Sequence, residues 1–315
     1  MMKFLLHAIL LILLLCSCGQ KQNTKAHTSP SVAIVPKFEM NKWQFDGAQG
    51  VQFITPHWDI RSTIQISRIV DSLPDFYNDL LDHYTTVFGE LPYPPKRIDV
   101  FLFATESQWR KKLQEMLGAE ASQWYSLGKG GLTIDGTGVL YHLDRRGRSR
   151  VTLRIAAHEG WHQYAEATFK TCLPTWLDEG IGTWMEGFRI RNGEVVFTPA
   201  SNWDRLSTVR KLVQAERLDS LAYLLGSDPS TLLATGRTTL LGYYAQLWAL
   251  TSFIIEYDEG KYFPGLKKIL HSALDGTLLE PRGGWMFAFT DNPVAFEREY
   301  IDWVKEYVRP GSSWR

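Results

Sequence analysis

Cysteine is scarce in this chain, with three residues in 315, and this scarcity limits what can stabilise the fold. Cys16 and Cys18 lie close together near the N-terminus, whereas Cys172 has no cysteine near it in the sequence. Small exported domains that depend on disulfides carry many more cysteines for their length. The sequence therefore predicts a fold held by a packed core, for which a hydrophobic content of 44% is sufficient.

The chain also lacks an excess of charge of either sign. Lys plus Arg and Asp plus Glu number 34 each, so the formal net charge is zero. The densest basic stretch, residues 145–150, is short. We interpret it as a solvated loop, the alternative being a guide for a substrate or a lipid headgroup. Because nucleic-acid-binding proteins present larger basic surfaces, the sequence predicts no nucleic-acid partner.

Signature motifs of several large enzyme classes are missing as well. The sequence contains no G-x-S-x-G, no P-loop and no dinucleotide-binding G-x-G-x-x-G. Serine hydrolases with a nucleophile elbow, P-loop nucleotide enzymes and NAD-dependent enzymes are therefore not supported. The first long apolar run, residues 4–15, is too short to span a bilayer.

That apolar run has the proportions of an export signal, since Lys3 precedes it and two cysteines end it. The closing Leu-Cys-Ser-Cys-Gly segment resembles a bacterial lipobox. The resemblance implies that residues 1–17 are a lipoprotein signal peptide and that Cys18 carries a lipid. It also implies an anchor in the bacterial membrane, at the periplasmic side of an outer membrane or at the cell surface. Cleavage by ordinary signal peptidase is the alternative, and either route predicts export.

The mature chain is predicted to begin with a flexible tether, residues 18–39, because this polar segment has almost nothing to bury. Beyond it, strand patterns cluster in the first half of the chain and helical patterns in the second. The predicted strands are residues 51–54, 97–103, 132–134, 138–143 and 194–197. The predicted helices are residues 64–88 with a break near Pro74, 106–117, 152–169, one that begins near Pro174, 203–216, 220–225, 240–257, 262–274 and 293–308.

This distribution predicts an α+β protein with two lobes. Residues 40–172 form the N-terminal lobe, with a small sheet and the helix 152–169. Residues 173–315 form a mostly helical C-terminal lobe.

Residues 158–162 read His-Glu-Gly-Trp-His and fit the H-E-x-x-H pattern. On a helix, His158 and His162 share one face, so their two imidazoles can bind one metal ion. Glu159 lies one step round the helix, where its carboxylate can take a proton from a water activated at the metal. A pattern of five residues does not by itself define a metal site. The third metal ligand decides to which class of metallopeptidase site it belongs.

The metzincin pattern is excluded as a source of the third ligand. That class requires a glycine at position 165 and a histidine at position 168, but the chain has Ala165 and Thr168. The alternative is a glutamate on the following helix, and the Trp-Leu-Asp-Glu-Gly segment at residues 176–180 contains one.

Helix dimensions favour Glu179 as that ligand. The first helix rises about 10 Å from His162 to residue 169, and six residues of a returning helix from Pro174 recover about 7–8 Å. Glu179 therefore returns to the level of His162. Two other glutamates fit less well as the third ligand. Glu186 lies two turns further along and beyond the metal, and Glu166 points along the first helix.

The two segments together resemble the gluzincins, zinc metallopeptidases of the peptidase MA clan. The matching residues are H-E-x-x-H-Q-Y at 158–164 and P-x-W-L-x-E-G at 174–180, and a weaker resemblance extends over about residues 50–275. It is strongest to bacterial families of this clan that carry both segments. The resemblance implies a Zn²⁺ ion held by His158, His162 and Glu179, with Glu159 as the general base.

In thermolysin-like and aminopeptidase-like gluzincins, a downstream tyrosine or histidine stabilises the oxyanion. Residues 242–250, G-Y-Y-A-Q-L-W-A-L, are similar to the helix that carries this tyrosine. Tyr244 fits the register best and Tyr243 is second, while simple packing of both rings on a helix face is the alternative.

Two departures from the gluzincin pattern change what the resemblance implies. Thr183 stands where thermolysin has an acidic residue, so another group must orient His158, and Asp178 and Glu186 are the candidates. The G-x-M-E-N segment with which aminopeptidases recognise a free N-terminus is absent, which favours an endopeptidase.

The sequence thus predicts an exported zinc endopeptidase that acts on a peptide or protein substrate. In relatives an edge strand before the catalytic helix pairs with the substrate, and strand 139–143 holds that place in the sequence. An alternative is an inactive zinc-binding surface lipoprotein that binds peptide or glycan, but a site without catalysis has no need of Glu159. A third hypothesis, a binding protein with an accidental motif, does not explain the Trp-Leu-Asp-Glu-Gly segment.

Overall fold

The computed structural model describes residues 38–125, 130–143, 150–191, 193–229, 231–232, 236–309 and 311. The predicted signal peptide, Cys18 and all but the last two residues of the predicted tether lie outside the described residues. Lys37–Arg315 forms one compact unit. No helix in the described part of the chain combines the length and the hydropathy needed to cross a bilayer.

The first half of the chain builds a six-stranded mixed sheet with the order β1-β2-β3-β4-β6-β5. Two neighbouring pairs, β3–β4 and β4–β6, are parallel, and the other pairs are antiparallel. A separate hairpin, β7–β8, follows later in the chain. The strands are β1 (Glu39–Phe45), β2 (Ala48–Ile54), β3 (Trp58–Ser62), β4 (Ile98–Phe103), β5 (Gly131–Ile134), β6 (Thr137–Tyr141), β7 (Phe188–Arg191) and β8 (Glu194–Phe197).

Helices dominate the second half, and the molecule belongs to the α+β class, as predicted. The helices are α1 (Ser67–Val70), α2 (Leu73–Thr86), α3 (Glu106–Leu117), α4 (Ala121–Trp124), α5 (Arg150–Thr168), α6 (Thr175–Met185), α7 (Trp203–Gln214), α8 (Leu221–Gly226), α9 (Arg237–Glu256), α10 (Phe263–Asp275) and α11 (Pro293–Tyr307). Every predicted helix has a counterpart among them. Strands β1, β3 and β7 were not predicted, and β1 begins at the last residue of the predicted tether.

The central strands β4 and β6 bury side chains on both faces of the sheet. Leu102 and Leu140 pack into the main core with α2 and α5, whereas Phe103 and Val139 pack with Trp109 of α3 on the opposite face. Successive side chains of a strand point to opposite faces, so a strand between two helical layers is apolar at nearly every position. The sheet is therefore a rigid platform against which α5 is fixed.

Many of the aromatic side chains serve core packing. The largest fully buried side chains include Trp58, Trp109, Trp161, Trp176 and Trp248. Complete burial of such side chains contributes roughly 1.5–3 kcal/mol each relative to exposure. The described core therefore stabilises the fold by packing and without disulfides.

Helix α6 packs closely between α5 and α9 because two of its positions carry no side chain. A Cβ atom at Gly182 would lie 3.1 Å from the His158 ring, and one at Gly180 would lie 2.6 Å from Thr251 Oγ1 of α9. Glycine permits a closer approach than any other residue here. The two glycines of the W-L-D-E-G-I-G segment therefore set the distance between α6 and its two neighbours.

Candidate metal centre

Helices α5 and α6 bring the three predicted ligands together. His158 and His162 lie one turn apart on α5, and the chain reverses after Thr168 so that α6 presents Glu179 to both. The Oε2 atom of Glu179 lies 3.2 Å from Nε2 of His158 and 3.6 Å from Nε2 of His162. One ligand atom from each residue lies within 4.8 Å of the others. This is the only such group of metal-ligating side chains among the described residues.

The donor set fits zinc. Two imidazole nitrogens and one carboxylate oxygen are ligands typical of catalytic zinc sites, which keep a fourth position open. Ligands about 2.0–2.2 Å from a tetrahedral ion lie about 3.3–3.6 Å from each other. The 3.2 and 3.6 Å separations at Glu179 are close to that range, so these residues can hold a zinc ion with little movement.

The half-buried carboxylate of Glu186 fixes the orientation of His158. The Nδ1 atom of His158 lies 3.1 Å from Oε1 of Glu186, which leaves Nε2 to face Glu179. Arg205 of α7 holds Glu186 through both of its oxygens, with Nη2 donating to Oε1 at 2.7 Å and Nε donating to Oε2 at 3.1 Å. Asn202 donates to Oε2 at 2.8 Å. Glu186 therefore lies beyond the metal position, as predicted. It contacts Nδ1 of His158, the ring nitrogen that does not face Glu179.

Asp178 does the same for His162. Its Oδ2 atom lies 2.9 Å from Nδ1 of His162, while its Oδ1 atom accepts a hydrogen bond of 2.8 Å from Nε1 of Trp161. Of the two residues predicted to orient His158, only Glu186 contacts it. Asp178 instead orients the second ligand, because it lies at the start of α6 beside His162.

The carboxylates around the two imidazoles make the site favourable for positive charge. Burial alone would lower the pKa of His158, but hydrogen bonds with Glu179 and Glu186 outweigh burial and raise it to about 9. Burial likewise opposes charge on His162, and Asp178 and Glu179 raise its pKa well above the usual value. Burial alone would raise the pKa of Glu179, yet the two imidazoles hold it far below its ordinary range. A half-buried site with this electrostatic balance suits a cation.

Glu159, the predicted base, lies on the cleft side of α5 beside the edge strand β5. The hydroxyl of Thr133 lies 3.0 Å from Oε2 of Glu159 and 3.1 Å from its backbone carbonyl oxygen. The carboxylate of Glu159 is half-buried, and it is not one of the three clustered ligands. Its other oxygen remains available to accept a proton.

Of the two candidate tyrosines, Tyr244 faces the site and Tyr243 does not. The Tyr244 ring stands edge-on to the His158 ring, with 6.4 Å between centroids, and the Arg205 guanidinium lies 5.5 Å from the Tyr244 centroid. Burial and the charges of Glu179 and Glu159 raise the pKa of Tyr244, so the hydroxyl stays protonated and can donate a hydrogen bond. The Tyr243 hydroxyl donates to the carbonyl oxygen of Ser227 at 3.1 Å, and its ring is buried.

A cleft of about 430 Å³ opens over the cluster. One wall is strand β5 and another is α6, and Tyr244 and Leu240 of α9 face them. This volume lies within the range of about 300–1,000 Å³ that is typical of small-molecule and peptide-side-chain sites.

A family model described as "Protein of unknown function (DUF1570)" matches residues 153–273, less than half of the chain. The matched region begins in α5 and ends in α10, so it contains the three candidate ligands, Glu159 and Tyr244. No curated protein gives a significant match to the chain. The description of the family assigns no activity, and any functional conclusion rests on the geometry of the cleft.

Four residues that contact the site were not identified from the sequence. Arg205 and Asn202 lie on or next to α7, Thr133 lies on β5, and Trp161 lies within the H-E-x-x-H segment itself. Asn202 also caps α7 by accepting a hydrogen bond from the Arg205 amide. An asparagine before a helical pattern is a recognisable cap signal, but nothing in its spacing connects it with Glu186.

We expect Asp178→Asn to weaken zinc binding by about 10–100-fold, the usual effect of losing a group that orients a metal-ligating histidine. Asp178 accepts one hydrogen bond on each oxygen, whereas an asparagine side chain offers a single acceptor. Either Trp161 or His162 must then lose its partner. Competition with a zinc-selective chelator measures the affinity. Asp204→Asn, at a side chain that is 89% exposed, is the matched control and should bind zinc as the wild type does.

Proposed function

We propose that this protein is a zinc-dependent peptidase of the gluzincin type, and specifically an endopeptidase that hydrolyses internal peptide bonds. The observation that carries the proposal is the convergence of His158, His162 and Glu179 with Glu159 on the same cleft. A site that only bound zinc for stability would be closed by a fourth protein ligand. Here an open cleft and the carboxylate of Glu159, which is not one of the clustered ligands, accompany three ligands.

Zinc bound by the three ligands would supply a Lewis acid that polarises a peptide carbonyl and lowers the pKa of water. Glu159 takes the proton of the attacking water and then gives it to the leaving amine. The hydroxyl of Thr133 holds one oxygen of the Glu159 carboxylate, which fixes the direction of the other oxygen. Thr133 therefore orients the base without competing for the proton.

Tyr244 is the group best placed to stabilise the developing negative charge on the carbonyl oxygen. Its raised pKa keeps it a hydrogen-bond donor, and Arg205 fixes its ring from one side. Donors directed at an oxyanion contribute about 100–1,000-fold to the rate when they are held in place before the reaction. Tyr243 is excluded from this role, because its hydroxyl is committed to Ser227 and its ring is buried.

The strand that can align a substrate is β5. The prediction that strand 139–143 is the substrate-pairing edge strand was wrong. Strand β6 is paired on both sides, with β4 and with β5, so it has no free edge. Strand β5 lies at the edge of the sheet, and Gly131, Leu132 and Thr133 line the cleft. An extended peptide added to this edge would form main-chain hydrogen bonds beside Glu159.

The two-lobed arrangement and the cellular location are part of the same proposal. The cleft is lined by β5 and α5 from before residue 172 and by α6 and α9 from after it, which supports a division near that residue. We propose export with a lipid anchor at Cys18 on the basis of the N-terminal sequence alone. In that location, an endopeptidase would meet peptide or protein substrates outside the cytoplasm.

Hydrolysis of an unfolded protein, with and without metal, tests the proposal. We expect the wild-type chain to cleave reduced casein into internal fragments. A zinc chelator should abolish the cleavage and added Zn²⁺ should restore it, because the proposed reaction needs the Lewis acid that His158, His162 and Glu179 would hold.

Mass spectrometry of the products separates the two kinds of peptidase. Internal cuts support the endopeptidase, whereas stepwise removal of N-terminal residues would show an aminopeptidase. Cleavage that a chelator does not affect would contradict the proposal, since the activity would then come from another site or from a contaminant.

A further inference from the structure

A second cavity, also of about 430 Å³, lies away from the candidate metal centre, and none of its described lining residues lines the metal-centre cleft. We define it as the arginine pocket, because Arg189 and Arg191 of β7, Arg210 of α7 and Arg309 after α11 all line it. Three separate segments of the chain supply these four side chains. No acidic residue is among the described residues that line the cavity.

The positive charge extends into an adjoining depression on the same surface. Arg150 and Arg154 at the start of α5 line that depression together with Arg189 and Arg191, and no acidic side chain is among its described lining residues. The full chain has a formal net charge of zero. Six arginines on one continuous surface are therefore a local concentration of charge and not a consequence of composition.

Few of these charges are neutralised within the described part of the chain. Arg154 contacts Asp204 at 3.8 Å, and Arg309 pairs with Glu306 at 2.9 Å on the exposed surface. Arg150, Arg189 and Arg191 form no ion pair with a described residue. Ion pairs at the exposed surface are weak, so they compete little with an external anion.

The main-chain contact of Arg210 gives the pocket a fixed donor. Its Nε atom donates to the carbonyl oxygen of Val308 at 2.8 Å, which holds the guanidinium over the cavity side of α7. The two Nη groups of that guanidinium remain donors. A held guanidinium loses less conformational freedom on binding than a free one.

The wall of the arginine pocket also contains apolar surface. Trp203 is 55% exposed and lines both the cavity and the adjoining depression. Leu206, Val196 and Tyr307 complete the apolar part. An exposed tryptophan beside several guanidinium groups suits a ligand with an anionic end and a body that can pack on the indole ring.

We propose that the arginine pocket is a binding site for a phosphate ester. A phosphate group carries a charge of about −1.5 to −2 and three acceptor oxygens, so it can satisfy several guanidinium forks at once. A single carboxylate has two oxygens and one charge, and it leaves most of the four arginines without a partner. The organic part of the ester packs on Trp203 and Leu206. The proposal is independent of any activity at the metal centre.

Calorimetric titration of the full chain with glycerol 3-phosphate tests the site. The variant Arg189→Gln combined with Arg191→Gln removes two lining charges that have no partner in the described structure. The double variant should bind at least about tenfold more weakly, because the loss of even one charge-assisted contact reduces affinity by about that factor. Both side chains are exposed, and the unfolding temperature should remain that of the wild type.

The matched control is Arg282→Gln combined with Arg298→Gln, which removes two exposed arginines outside both cavities. Its affinity for glycerol 3-phosphate should be within about twofold of the wild-type affinity. It changes the net charge of the protein by the same amount, but at positions away from the arginine pocket. An equal loss of affinity in the two double variants would overturn the proposal, since the binding would then depend on net charge alone.

Vesicles of phosphatidylcholine with and without phosphatidic acid identify the source of the phosphate. Binding of glycerol 3-phosphate in solution supports a free phosphate ester. Binding only to vesicles that contain phosphatidic acid, with loss in the Arg189/Arg191 variant, supports a lipid-borne ester. Binding to neither probe, or tighter binding to poly-L-glutamate than to either, overturns the phosphate assignment and in the latter case points to an acidic polypeptide.

Discussion

Glu159→Gln is expected to reduce kcat for peptide hydrolysis by about 100–10,000-fold, the range that general acid–base catalysis contributes. The amide that replaces the carboxylate cannot accept a proton from water or return it to the leaving amine. It has nearly the same shape and keeps an oxygen that can accept the Thr133 hydrogen bond. The change therefore removes proton transfer with little alteration of the cleft.

Zinc binding should survive this substitution, because Glu159 is not one of the three clustered ligands. The measurement is kcat on a quenched fluorescent peptide, together with the zinc content of the same preparation. Glu115→Gln, exposed on α3 and remote from the cleft residues, is the control for the change from carboxylate to amide. It should match the wild type in both quantities.

Two outcomes would contradict the assignment of Glu159. A Gln variant that cleaves as fast as the wild type would show that another group moves the proton. A wild type that binds zinc and peptide but hydrolyses nothing, with the Gln variant binding equally well, would favour the inactive binding protein over the peptidase.

The local part of the metal site could be predicted because it depends on two adjacent helices and a short turn. The spacing of His158 and His162 fixes their common face, and only six residues, 169–174, separate α5 from α6. With so short a connection, helix rise alone determines which residue of α6 returns to the level of His162. Glu179 was identified in this way, and the structure places it there.

The supporting residues could not be predicted because tertiary packing brings them in. Between Glu186 and Arg205, the chain forms the β7–β8 hairpin before α7 begins. No period or spacing in the sequence connects an arginine on α7 with a carboxylate at the end of α6. The assignment of Asp178 to His158 failed for a related reason, since helix rise sets the height of a residue but not which neighbour its carboxylate faces.

The edge of the sheet was predicted wrongly because strand order is not a local property. Strands β5 and β6 are adjacent in the sequence and both are short, so either one is a candidate for the edge. The parallel pairing of β6 with β4, across a connection that contains α3 and α4, places β6 inside and leaves β5 outside. Burial on both faces of β6 accompanies its central position.

Glu179→Ala is expected to abolish tight zinc binding, with a loss of affinity larger than the roughly 100-fold upper range for groups that only orient a ligand. The substitution removes one of three donors and also the carboxylate that contacts both imidazoles. Elemental analysis should give about one zinc per wild-type chain and almost none for the variant. Glu166→Ala removes another carboxylate of the same cleft and should keep the wild-type zinc content.

Thermal unfolding gives an independent measure of the same site. A ligand present at about a thousand times its dissociation constant stabilises the native state by about 4 kcal/mol. Chelation should therefore lower the unfolding temperature of the wild type and of Glu166→Ala, but leave Glu179→Ala unchanged. Loss of zinc in both variants would mean that the cleft binds cations only through its overall negative charge. Wild-type protein without tightly bound metal would remove the basis for hydrolysis and leave the cleft as a binding site.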